Sequence, residues 1–125
     1  MEAKKRPSVL RGQTEEKVTG CGQLFVTLNV DGQGNLTEIF LTMGKAGGCA
    51  SATTQAIGRL LSISLRNGVK PELLMKQLAG ISCHSQSGFG SEKIQSCADA
   101  VAQSIRAFLD AKKKAAENGD IPIAA

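Results

Sequence analysis

The chain has 125 residues, of which 42% are hydrophobic and 21% are charged, so it has the composition of one ordinary globular domain. It contains no Trp, no Tyr and only four Phe, which argues against binding of nucleic-acid bases by aromatic stacking. The formal net charge is +4, but most of the excess lies in residues 1–13, so the rest of the chain is close to neutral and nucleic-acid binding is not expected.

The sequence also bears on the compartment. No stretch approaches the roughly 20 apolar residues of a membrane-spanning helix, and no apolar segment follows the charged N-terminal residues as it would in a secretory signal. We therefore expect a cytoplasmic protein that makes no membrane contact. Structural disulfides are rare in that reducing compartment, so the four cysteines require another explanation.

The first third of the chain is predicted to be an arm followed by strands. Residues 1–16 are basic and have no apolar period, which predicts a flexible arm with ordered structure starting near Glu16. Three short strands are predicted, at residues 17–19, 23–30 and 36–43. Gly- and Asn-rich segments between them indicate a turn or bulge and then a hairpin loop, at residues 20–22 and 31–35.

Two amphipathic helices are predicted after the strands. Apolar residues recur at three- and four-residue spacing over 50–67, and Gly68 provides the C-terminal stop. Pro71 fits the first position of a second helix, and Gly80 ends that helix.

A third helix completes the predicted domain. Ser96 is typical of an N-cap, Asp99 follows it at the capping-box spacing, and the apolar stripe of the helix runs to Leu109. Residues 111–125 are predicted to be a flexible tail. The sequence therefore predicts an α+β domain over 17–110, with a short antiparallel β-hairpin or sheet followed by three helices.

The cysteines are the main candidate ligands, and all of them lie at the ends of predicted elements: Cys21, Cys49, Cys83 and Cys97. Cys49 and Cys97 fall at helix N-termini, where thiolate, the metal-binding form, is stabilised. Four thiolates match a closed structural zinc site, although the spacing lacks the paired C-x₂-C of a zinc ribbon. Unrelated thiols and redox chemistry stay open as alternatives. His84 is either a substitute ligand or an exposed loop residue.

The segment before the first helix is rich in glycine. Lys45, Gly47 and Gly48 form a strand-to-helix turn that could bind phosphate. The full P-loop pattern is missing because the lysine precedes the glycines, and the alternative is a tight turn that brings Cys49 to its partners. No set of residues in the sequence forms a recognisable catalytic site.

Six segments in order resemble one known family, the TSCPD domain, which occurs at the C-terminus of vitamin B12-dependent (class II) ribonucleotide reductases and as a stand-alone protein. The segments are 19–22, 43–49, 56–60, 65–69, 77–83 and 96–100. The resemblance covers residues 17–109. The motif that names the family, Thr-Ser-Cys-Pro-Asp, reads Gln95-Ser96-Cys97-Ala98-Asp99 here, and the proline that commonly follows the third cysteine is His84.

The resemblance implies that the four cysteines are metal ligands, with zinc as the expected ion. It implies a zinc-binding accessory domain that interacts with a protein partner, with ribonucleotide reductase and DNA synthesis as the context. No reductase activity and no cobalamin are expected in this chain alone, because a reductase needs a large barrel. The alternatives are a dithiol redox carrier for a reductase and a nucleotide- or nucleic-acid-linked regulator. Formation of an oligomer is left open.

Overall fold

The structure, a computed structural model, describes residues 5–44, 48–83, 86–90 and 93–118. A three-stranded antiparallel sheet with strand order β1-β2-β3 is followed by three helices, which confirms the predicted α+β class. The elements are β1 (Arg11–Thr19), β2 (Gly22–Val30), β3 (Leu36–Met43), α1 (Gly48–Arg66), α2 (Pro71–Leu78) and α3 (Cys97–Asn118). Within the described ranges, no helix is long and apolar enough to cross a membrane.

Strand β1 is longer than the sequence predicts. It starts at Arg11 and pairs with β2 along its whole length, so residues 11–16 are strand and the predicted arm is wrong over that stretch. The apolar alternation that reveals a strand is absent because the inward-facing side chains of β1 are polar. Glu15, for example, accepts a hydrogen bond from the Ser104 hydroxyl of α3 at 2.6 Å.

Strand β2 supplies the centre of the core. Its alternation is as predicted: Leu24, Val26 and Leu28 are almost completely buried, with the intervening side chains on the other face. Residues of β3, α1 and α3 complete the core, among them Leu36, Ile39, Leu41, Met43, Leu61, Leu65, Ala100, Val101, Ile105 and Phe108. One layer of helices therefore covers one face of the sheet.

A bulge changes the side-chain pattern of β3. Asn29 pairs with Glu38, but Val30 pairs with Leu36, so Thr37 is an additional residue on β3. As a result Leu36 and Ile39 both face the core, and Glu38 lies on the opposite face of the sheet.

Helix α1 packs closely along β3. A Cβ at Gly58 would lie 3.4 Å from the Ile39 carbonyl oxygen, so the small residue permits this approach. The hydroxyl of Ser62 accepts a hydrogen bond from the Ile39 N–H at 3.0 Å and donates one to the Ile39 carbonyl at 2.9 Å. Ser62 therefore satisfies backbone groups of β3 on the side away from β2.

The helix ends partly follow the prediction. Gly68 has φ of 88° and lies two residues after Arg66, the last residue of α1, as expected of a C-terminal glycine. Pro71 is the first residue of α2, as predicted. Helix α3, however, continues to Asn118, so the predicted tail is wrong over 111–118. That segment consists mainly of Ala and Lys, which are good helix formers although they add no apolar stripe.

Candidate functional site

Three chain segments meet at one end of the sheet. The turn between β1 and β2 contains Cys21, and Leu24 pairs with Met43 beside it. The chain leaves β3 at this end, because the Gly44 N–H donates to the Gln23 carbonyl at 2.9 Å. Helix α1, with Cys49 as its second residue, begins four residues after Gly44. The topology therefore brings the start of α1 toward the turn that carries Cys21.

Thr19 connects this turn to the start of α3. Its hydroxyl donates to the Gly22 carbonyl at 2.8 Å and accepts from the Cys21 N–H at 3.2 Å. The same oxygen lies 3.7 Å from the Cys97 sulfur, within hydrogen-bond range for sulfur. Thr19 was not among the predicted site residues. The available signal was its place at the head of the Thr-Gly-Cys-Gly segment shared with the family.

Cys83 is placed by the loop that follows α2. Its N–H donates to the Gln95 carbonyl at 2.9 Å, which joins the loop to the residues just before α3. The Ser96 hydroxyl donates to the Ile81 carbonyl at 2.5 Å and accepts from the Asp99 N–H at 3.0 Å. The predicted N-cap is confirmed, and it also holds the segment that leads to Cys83.

Asp99 has a larger role than the helix capping that the sequence predicts. Its buried carboxylate accepts from the Gly80 N–H at 2.9 Å, from the Gln95 N–H at 3.1 Å and from the Gln103 side chain at 3.1 Å. One carboxylate therefore connects the residues after α2, the residues before α3 and α3 itself. This fixes the backbone on both sides of Cys83 and at the helix turn of Cys97.

The thiol of Cys21 lies close enough to the thiols of Cys83 and Cys97 to interact with both. Partial burial and, after it, the charges and hydrogen bonds of Cys97 and Cys83 raise the pKa of the Cys21 thiol above its ordinary value. Cys21 is exposed. The effect of the two neighbouring thiols on its pKa matters for the site, because it requires Cys83 and Cys97 to lie close to Cys21. Cys83 and Cys97 are half-buried, and no disulfide joins the four cysteines.

Cys49 and the remaining predicted residues are not part of this interaction. Cys49 is exposed, and it is not among the groups that act on the pKa of the Cys21 thiol. Among those residues, no set of three or more His, Cys, Asp or Glu side chains has the arrangement of a metal site. The four-cysteine ligand set thus stays a prediction. His84, Lys45 and Gly47 lie outside the described residues, and Gly48 is the exposed first residue of α1.

A charged cluster lies elsewhere on the outer face of the sheet. The Arg6 guanidinium donates to both carboxylate oxygens of Glu38, at 3.0 and 3.1 Å, and Asn29 donates at 2.7 Å. Burial alone would raise the pKa of Glu38. The hydrogen bonds from Arg6 and Asn29 and the charges of Arg6 and Arg66 outweigh it, so this pKa lies below its ordinary value.

Comparison with known proteins gives one result. The sequence model of the TSCPD domain matches residues 1–109, which is most of the chain and includes β1 and the residues before it. No curated protein and no solved structure matches the chain. Because the match spans all three strands, both of the first two helices and the part of α3 that contains Cys97, this chain belongs to the TSCPD domain family.

Proposed function

We propose that the chain is a zinc-binding accessory module, with Cys21, Cys49, Cys83 and Cys97 as the ligands. The observation that carries the proposal is the interaction of Cys21 with Cys83 and Cys97, three thiols that belong to three separate segments of the chain. Thiols gathered from separate segments are typical of a structural metal site, because the ion then joins elements that have little other contact.

The donor chemistry fits zinc. Four thiolates at a tetrahedral centre are a common ligand set for structural Zn²⁺. Bound zinc would supply cross-linking of the chain and would favour the thiolate form of each ligand. The chain's own residues prepare this end of the domain: Thr19 orients the turn of Cys21, and Asp99 fixes the backbone around Cys83 and Cys97.

The fourth ligand, Cys49, is supported by topology. It begins α1 only a few residues beyond the end of β3, which pairs with β2 next to the turn of Cys21. On this proposal the start of α1 moves so that the exposed thiol of Cys49 joins the other three.

The partner that we propose is a protein of the ribonucleotide reductase system, since the family includes domains at the end of such enzymes. On this proposal the module binds its partner and performs no nucleotide reduction itself. A dithiol redox carrier is the rival. It is disfavoured because the sequence contains no Cys-x-x-Cys pair of the kind that thioredoxin-like exchangers use.

The proposal is tested by metal analysis of protein isolated under reducing conditions without chelator. We expect about one zinc per chain, lost in Cys97→Ser and in Cys49→Ser. Ser51→Ala, an exposed substitution two residues from Cys49, is the matched control and should retain the metal. Native protein that holds no zinc, with four thiols that react freely while the fold is intact, would exclude the metal module. Insulin reduction that depends on Cys97 would support the redox rival.

A further inference from the structure

A large crevice lies at the end of the sheet opposite the cysteines. Its volume is about 910 Å³, and it is formed by the β2–β3 loop, the end of α1, the start of α2 and the second half of α3. The β2–β3 loop and the β1–β2 turn are at opposite ends of β2, so this crevice is separate from the proposed metal site.

The charged side chains around the crevice are mainly basic. Five are cationic, namely Arg66, Lys70, Arg106, Lys112 and Lys113, and three are anionic, namely Asp31, Glu72 and Asp110. None of the five cations forms a salt bridge within the part of the chain that the structure describes. The Asp31 carboxylate already accepts the Gln33 and Asn35 N–H groups of its own loop. Cations therefore outnumber anions in the lining of the crevice.

Arg66 provides a second observation that points to a ligand. Its Nε is buried, and no group among the described residues accepts a hydrogen bond from it. A buried N–H without an acceptor costs free energy, and Arg66, which lines this crevice and also the groove that contains Glu38, would regain part of that cost on binding an anion. The planar guanidinium with its several donors is well suited to phosphate oxygens.

Most of the remaining lining residues are apolar. It includes Leu36, Leu65, Val69, Pro71, Met75, Phe108 and Leu109. A concave surface that combines an apolar floor with a few charged groups is typical of a small-molecule site. A nucleic acid would instead require an extended basic surface and aromatic side chains, and the chain has few of the latter.

We propose that this crevice binds a phosphorylated small molecule that also carries an apolar or aromatic part. Three cations of the lining, namely Arg66, Lys70 just before α2 and Lys113 on α3, would contact the phosphate groups, and the apolar floor would contact the remainder. This site is distinct from the cysteine site and does not depend on zinc.

The inference is tested by calorimetric titration of the full chain at low ionic strength, with ATP, pyrophosphate and adenosine as separate probes. We expect ATP to bind more tightly than pyrophosphate, and adenosine to bind weakest. The double variant Lys70→Gln/Lys113→Gln changes two exposed side chains, so it should fold normally and weaken ATP binding by about fivefold or more. Arg66→Gln should weaken it further.

Arg59→Gln is the matched control, because Arg59 is exposed on α1 and lines a different groove. It should leave ATP binding unchanged. ATP that binds no better than adenosine, or an Arg59 variant that loses as much affinity as the double-lysine variant, would overturn the proposal. Equal affinity for pyrophosphate and ATP would overturn the claim that the apolar floor contacts the rest of the ligand.

Discussion

The hydroxyl of Thr19, the last residue of β1, lies 3.7 Å from the sulfur of Cys97, the first residue of α3. The two residues are 78 positions apart in the sequence. Thr19 is buried and also holds the backbone of the β1–β2 turn, so one side chain links the sheet, the turn of Cys21 and the start of the last helix.

Replacement of Thr19 by Val should therefore destabilise the domain. The branched shape is kept, but the Cys21 N–H and the Gly22 carbonyl lose their partner, which should lower the free energy of unfolding by about 1–3 kcal/mol. Urea denaturation measures the change. Thr19→Ser, which keeps the hydroxyl, is the control and should lose less. Equal loss in the two variants would show that packing, and not the hydroxyl, is the important contribution of Thr19.

A second prediction concerns Asp99. Asp99→Ala removes the acceptor of the Gly80 and Gln95 N–H groups, and we expect a loss of about 2–4 kcal/mol because these hydrogen bonds are charge-assisted and buried. Amide hydrogen exchange should accelerate at Gly80 and Gln95 in particular. Asp110→Ala alters an exposed carboxylate of the same helix and should have little effect. Unchanged exchange at both amides would contradict the role given to Asp99.

The backbone edge of β3 gives a third prediction. Ser62→Ala leaves the buried N–H and carbonyl of Ile39 without their partner, so we expect a loss of about 1–3 kcal/mol in thermal or urea unfolding. Ser64→Ala, two residues further along α1, removes a hydroxyl that bonds only within its own helix and should cost clearly less. If the Ser64 variant is as unstable as the Ser62 variant, the hydrogen bonds of Ser62 to β3 contribute no more stability than a bond within the helix.

The fourth prediction is a pH dependence set by Glu38. Its pKa is lower in the folded chain than its ordinary value of 4.5, so the stabilisation that it provides is complete above pH 4.5 and is lost as the pH falls through the lower, folded value. Unfolding free energies of the native chain and of Glu38→Gln should therefore converge as the solution is made more acidic than pH 4.5. Arg6→Ala removes the main partner of the Glu38 carboxylate, so in that background Glu38→Gln should cost less unfolding free energy. If the difference in unfolding free energy between the native chain and Glu38→Gln stays the same at acid pH, Glu38 is not the source of this stabilisation.

The elements that are amphipathic could be predicted from the sequence. The alternation of β2, the apolar stripe of α1, Pro71 at the start of α2 and Ser96 at the start of α3 all rest on local patterns, and the structure contains each of them. β1 could not be predicted in full, because its inner face is polar and its strand character comes from pairing with β2.

The candidate site was only partly predictable. The position of the cysteines at the ends of elements, together with the family resemblance, gave the proposed ligands. The contact of Thr19 with Cys97 and the three-way role of Asp99 depend on segments that meet only in the folded chain, so no local pattern contains them.

The order of the elements has a consequence for biosynthesis. Pairing in the sheet joins only strands that are consecutive in the sequence, so β1, β2 and β3 can associate as the chain leaves the ribosome, and α1 can then dock on β3. The side of the core made by Val101, Ile105 and Phe108 belongs to α3 and is synthesised later. Until that helix emerges, Leu24 and Val26 remain open to water and to chaperones, so the nascent domain has a defined interval in which its central strand can be captured.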